Sequence, residues 1–160
     1  MYSCFKQLKL SISFMNKYYN DLDLLFIILT GKVSLVVNRA LVRGFRAVGI
    51  DITADQYAVM SRLWKNDGCT QQELCDETNK DKPSMTRLID NLEKQNLVSR
   101  VADRTDRRNN LIYLTHAGKY LKEKTENVVL EIVKQGLGGV SDDKINVCRV
   151  VLKNVLENLK

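Results

Sequence analysis

The stretch from Asp81 to Thr115 constrains this chain more than any other, because it sets a short two-faced helix directly before two short strands separated by a charged loop. Asp81 is a good N-cap, and Pro83 fits the first helical turn, where its missing N–H has no intrahelical partner to lose. Met85, Leu88, Ile89 and Leu92 follow helical spacing and make one apolar face. At about 100° per residue, Pro83, Arg87, Asp90, Asn91 and Lys94 fall on the opposite side. A core that holds the first face therefore presents the second to solvent.

Leu97 to Ala102 and Asn110 to Leu114 are short and rich in β-branched or aromatic residues, as strands are. Between them, Asp103-Arg104-Thr105-Asp106-Arg107-Arg108-Asn109 carries three arginines and no apolar residue to bury. Such a hairpin tip stays in water or touches something anionic. A helix about 10 to 12 Å across fits the major groove of a duplex, and an arginine on a thin loop can enter the narrow minor groove, where the potential is most negative. Either piece alone fits an ordinary surface helix or a solvated charge run. In this order, behind a second capped helix, they point to double-stranded DNA. Charge agrees without deciding: the chain carries +6, and between Asp81 and Asn110 seven Lys/Arg face five acids.

The rest of the chain reads as helices around this unit. At 160 residues with 44% hydrophobic side chains and a single proline, it suits one compact, mainly helical domain. Residues 1–20 form a poorly patterned leader. Residues 21–48 hold one long helix, with apolar positions at Leu22, Leu25, Leu29, Val33, Val36 and Ala40, and its most apolar run, Leu24 to Leu29, suggests burial on two sides. Residues 52–115 hold the winged helix-turn-helix. Within them, Thr53 with Gln56 and Thr70 with Glu73 form two capping boxes that open helices ending near Asp67 and Glu77. Residues 116–160 hold two further helices, the first capped by Thr115 and the second begun by Ser141 and striped by Ile145, Cys148, Leu152, Val155 and Leu159. The fold expected is mainly α with a small β-hairpin wing, flanked by N- and C-terminal helices. Those flanking helices come from opposite ends of the chain and are too apolar to serve as a mere lid. They are expected to pack together and against a second copy, setting two reading helices about 34 Å apart on a pseudo-palindrome. The alternative is a monomer whose terminal helices bury each other.

Several classes are disfavoured. The run Leu24 to Leu29 is too short to cross a membrane. His116 is the only histidine, and an HExxH, a phosphate-binding glycine loop and a two-by-two cysteine pattern are all absent, so no catalytic residue, metal site or cofactor is assigned. Cys4, Cys69, Cys75 and Cys148 show no CxxC spacing and follow no secretory signal, which suggests reduced thiols in a cytoplasm. Cys75 and Cys148 sit on apolar faces and read as core thiols, leaving Cys69 as the exposed one.

The segments PSMTRLIDNLEKQNLVSR, DRTDRRNNLIYLT and THAGK together resemble the MarR family of bacterial winged-helix regulators, over about Leu24 to the C-terminus. The resemblance implies a homodimeric DNA-binding repressor or activator, with a pocket between the dimer helices and the winged domain that often accepts a small aromatic effector. It also implies that Pro83, Ser84, Thr86 and Arg87 face the major groove and that Arg108 enters the minor groove. Asp106 would brace Arg108, with Asp103 as further wing support, and Arg104 and Arg107 would contact phosphates. Two alternatives stay open. One is a thiol-based redox regulator, although no cysteine lies between Asp21 and Gly68, where some relatives carry a sensing one. The other is a winged module whose arginines pair with acidic side chains of a protein.

Overall fold

Helix starts in the computed structural model follow the capping residues closely; it describes residues 22–103 and 110–159. The leader at 1–20, and Arg104, Asp106, Arg107 and Arg108 at the wing tip, lie outside the described residues. The chain runs through α1 (Leu22–Ala47), α2 (Ala54–Lys65), β1 (Cys69–Thr70), α3 (Gln71–Thr78), α4 (Lys82–Lys94), β2 (Val98–Ala102), β3 (Asn110–Leu114), α5 (His116–Gly136) and α6 (Asp142–Asn158). Both capping boxes close reciprocally: the Thr53 hydroxyl accepts from the Gln56 N–H at 3.1 Å while Gln56 accepts from the Thr53 N–H at 2.8 Å, and Thr70 and Glu73 repeat the exchange. The bonds from Thr70 hold the Glu73 carboxyl below its usual range. Each box satisfies N–H groups that a helix end leaves without partners.

The sheet has three strands in the order β1-β3-β2, all antiparallel, with Arg100 opposite Ile112 and Cys69 opposite Ile112 on its other side. Only two of these strands are visible in the sequence pattern. β1 is a two-residue piece held by tertiary contacts: Asp67 Oδ1 accepts from the Leu114 N–H at 2.7 Å, and the Gly68 N–H donates to the Ile112 carbonyl at 3.1 Å. Gly68 adopts φ +78°, and a Cβ there would strike the Tyr113 ring. This strand corrects the expectation for Cys69, which pairing with β3 leaves only 1% exposed.

Two buried clusters hold the helices. The larger joins Val59, Met60 and Leu63 of α2, Leu74 and Cys75 of α3, and Met85, Ile89 and Leu92 of α4 to Val98, Ile112 and Leu114 of the sheet. The smaller joins Leu41 and Phe45 of α1 to Ile50 and Ile52, with Val128 and Ile132 of α5 packed against it. α1 therefore meets the core through its C-terminal half. Its N-terminal half does not bear out burial on two sides: Leu24, Leu29 and, at 65% exposure, Ile27 face outward, as do Val33 and Val36. From Leu24 to Ala47 this helix is long and apolar enough, by length and composition, to cross a membrane, which the six-residue run alone is not. None of α6 is buried, so Cys148 is an exposed thiol and not a core one. Along the stripe read for that helix, Ile145 and Val155 are half-buried, whereas Cys148, Leu152 and Leu159 are exposed.

The tightest junction lies at the start of α5. The Gly118 N–H donates the cap bond to the Thr115 hydroxyl at 3.0 Å, and the Gly118 carbonyl accepts from the Trp64 indole at 2.9 Å. A Cβ on Gly118 would collide with the Leu97 carbonyl oxygen, so the backbone of the strand entry rests directly on the helix. Helix propensity alone would make Gly118→Ala stabilising by about 1 kcal/mol. The clash is expected to reverse that sign, and a lowered Tm in thermal unfolding is the result that checks it.

Candidate nucleic-acid interface

α4 owes its orientation to local chemistry at both ends. Asn79, at φ 51°, closes α3 in the left-handed conformation, and two residues later the Asp81 carboxylate accepts from the Ser84 N–H at 2.7 Å. That bond holds the Asp81 carboxyl below its usual range. Pro83 lies in the first turn, as expected. At the other end Asn96, at φ 57°, and Leu97 return bonds to the Glu93 and Leu92 carbonyls at 2.9 Å each, the two-bond closure of a helix that turns sharply away. α3, a tight turn and α4 thus form a helix-turn-helix, and α4 passes directly into the first strand of a hairpin.

The apolar face of α4 is fully sunk, with Met85, Ile89 and Leu92 each 0% exposed. Pro83, Ser84, Thr86 and Arg87 stand exposed on its first two turns, with Asn91 and Lys94 beyond them. Asp90 is different from the wheel expectation. It is half-buried, because Arg100 of β2 reaches back and ion-pairs with both Asp90 and Glu93, while the Arg100 N–H also donates to Glu93 at 3.3 Å. Sequence reading left Arg100 without a role, since its partners lie seven and ten residues back on another element. The pairing sets one positive charge between two acids of α4, offsetting half of their charge, and it ties the hairpin base to α4. Asp103 lies half-buried just beyond β2. Where the wing arginines sit relative to Arg87 falls outside the described residues.

A cleft of about 520 Å³ opens between α1, α2 and the turn before α4, lined by Asn38, Leu41, Tyr57, Arg62, Thr78 and Lys80 among others. Burial pushes the Tyr57 phenol up. Arg62 pairs with Glu77 and Lys80 with Asp55, the latter at 2.9 Å, so two ion pairs cross the cleft between α2 and the α3–α4 region. Among the described residues no three His, Cys, Asp or Glu side chains converge as a metal site requires.

A helix-turn-helix with a hairpin wing, its second helix polar outward, defines a winged-helix nucleic-acid-binding protein. The family model described as the MarR family matches residues 52–109. The crystal structure of the transcriptional regulator PA3341 is 30% identical, with a TM-score of 0.73 over 84% of this chain and 97% of that one. A MarR-family regulator from Rhodococcus sp. RHA1 superposes with a TM-score of 0.75 at 24% identity, over 86% of this chain and 96% of that one. The organic hydroperoxide resistance transcriptional regulator of Bacillus subtilis (strain 168) is 29% identical over 69% of this chain and 74% of its own length. This chain belongs to the MarR family and is a DNA-binding transcriptional regulator.

The left-handed residue at Asn96 sets the angle at which α4 gives way to the wing. Asn96→Gly is expected to leave stability within about 0.5 kcal/mol of the wild type, whereas Asn96→Ala costs ~1 kcal/mol because an alanine Cβ is unfavourable at positive φ. Urea denaturation of the three proteins checks the ranking.

Proposed function

We propose that the protein is a homodimeric, ligand-responsive repressor that binds a pseudo-palindromic operator through α4 and the wing. The observation that carries this reading is the exposure of Pro83, Ser84, Thr86 and Arg87 on the first turns of a helix whose opposite face is wholly buried. These four face the major groove. Arg108 enters the minor groove with Asp106 bracing it and Asp103 supporting the wing, and Arg104 and Arg107 hold phosphates. A bracing acid lowers the rotamer entropy an arginine loses on insertion.

The dimer is supported by apolar surface that the protomer leaves open. Ile27, Val33 and Val36 of α1 and Val147, Val150 and Leu156 of α6 are all more than half exposed, and they come from the two ends of the chain. Exposed apolar patches of this extent mark interfaces. The effector reading rests on the cleft beside Tyr57. A small aromatic acid seated there would compete for Arg62 and Lys80, breaking the ion pairs that couple α2 to the turn before α4, and would so re-aim the reading helix. A thiol switch has less support: burial pushes the Cys69 and Cys75 thiols up, away from the reactive thiolate form.

Selection of bound sites from random duplexes tests the central claim; recovery of a two-fold site supports it, and binding to no duplex above nonspecific levels hands the assignment to a protein-interaction module. On the recovered site, Arg87→Ala is expected to cost ~1 to 3 kcal/mol and to relax preference at one base, as loss of a guanine contact does. Arg104→Ala and Arg107→Ala each weaken all sequences alike and flatten the salt slope by about 0.9, measured by titration across salt concentrations. Val147→Asp combined with Leu156→Asp is expected to convert a dimer to folded monomers in sedimentation experiments, because each carboxylate would be buried without a partner.

A further inference from the structure

Thr86 is held by a bond that no other described helical threonine makes. Thr30, Thr78 and Thr125 each return their hydroxyl proton to the carbonyl four residues back, a common arrangement for threonine within a helix. Thr86 does the same toward the Lys82 carbonyl at 2.9 Å. In addition, the Gln71 side-chain amide, fifteen residues away on α3, donates to the Thr86 hydroxyl oxygen at 2.7 Å. The same Gln71 nitrogen lies 3.4 Å from the Lys82 carbonyl oxygen. That carbonyl can only accept, so the amide must turn its nitrogen toward this corner; the opposite orientation would set two oxygens against each other.

A hydroxyl has one proton and two lone pairs. On Thr86 the proton is committed to Lys82 and one lone pair to Gln71, so a single lone pair remains for anything that approaches from outside. Gln71 is itself well anchored. It follows the Thr70–Glu73 capping box, and Leu74 and Cys75 root its helix in the core.

We propose that Thr86 is a specificity-determining residue and that Gln71 positions it: with its proton on the Lys82 carbonyl, the Thr86 hydroxyl meets DNA as a hydrogen-bond acceptor and selects a base offering an amino group in the major groove. Adenine N6 and cytosine N4 are the two such donors, whereas thymine O4 and guanine O6 and N7 only accept. The inference rests on the reading that α4 enters the major groove. It adds that one position in each half-site favours adenine or cytosine, and that a residue on the neighbouring helix holds the hydroxyl in place for that choice. Because both partners are ordered before DNA arrives, little rotamer freedom is lost on binding.

The test is site selection from random duplexes with the wild type, Thr86→Val, Thr86→Ser and Gln71→Ala, each first shown to unfold cooperatively. Wild type is expected to show one half-site position restricted to adenine or cytosine. Thr86→Val keeps the shape but removes the hydroxyl, and should erase that preference alone, with a loss of about three- to tenfold in affinity for the best site, the worth of one hydrogen bond. Thr86→Ser restores the preference. Gln71→Ala leaves the proton on the Lys82 carbonyl but removes the bond that holds the side chain in place, so discrimination at that same position weakens, with adenine and cytosine still favoured, while the remaining positions keep their preferences. The proposal is overturned if Thr86→Val leaves every position unchanged, if Gln71→Ala leaves the discrimination at its full strength, or if the base lost with Thr86 is thymine or guanine. If wild type itself selects no duplex, the DNA reading falls first, a result distinct from each of these.

Discussion

Burial of Met85, Ile89 and Leu92 against α2, α3 and the sheet is the interaction on which the rest of the molecule depends. A helix of thirteen residues cannot hide one complete face without presenting the other, and here the other face is polar and carries Arg87. The core of this domain therefore serves as the mount of a recognition surface. Changes in that core alter the angle of α4 as well as the stability of the fold, because packed interiors transmit displacement instead of absorbing it.

Mounting requires two further constraints, one covalent and local, the other electrostatic. The left-handed turn at Asn96 sends the chain out of α4 straight into β2, with no slack between them. Arg100 then draws β2 back onto Asp90 and Glu93. Half-exposed pairs of this kind contribute modestly to stability. Their larger effect is on the surface potential, since one guanidinium offsets half the charge of two carboxylates on α4 within the protomer. Gly118 completes the frame by letting the start of α5 lie against the strand entry at Leu97.

The outer helices follow another logic. Among the described residues α1 enters the core through Leu41 and Phe45, and no residue of α6 is fully buried, yet both are striped with valine, leucine and isoleucine. Apolar surface of that extent, on a protomer with a sound core of its own, is what the proposed dimer would cover. The Tyr57 cleft lies between α1 and the helix-turn-helix, where the Arg62–Glu77 and Lys80–Asp55 pairs link α2 to the elements before α4.

The sequence by itself determined the features that depend on neighbours within five residues: the caps at Thr53, Thr70, Asp81 and Thr115, the apolar stripe of α4, and the bounds of β3. In each the partner group lies within one turn, so residue type and spacing carry the whole instruction. Tertiary structure alone decided the third strand and with it the burial of Cys69, the exposure of Cys148 and of the N-terminal half of α1, the capture of Arg100 by the acids of α4, and the commitment of the Thr86 hydroxyl to Gln71. These depend on groups brought together by packing across up to tens of residues, and periodicity along one segment holds no record of what another segment will set against it.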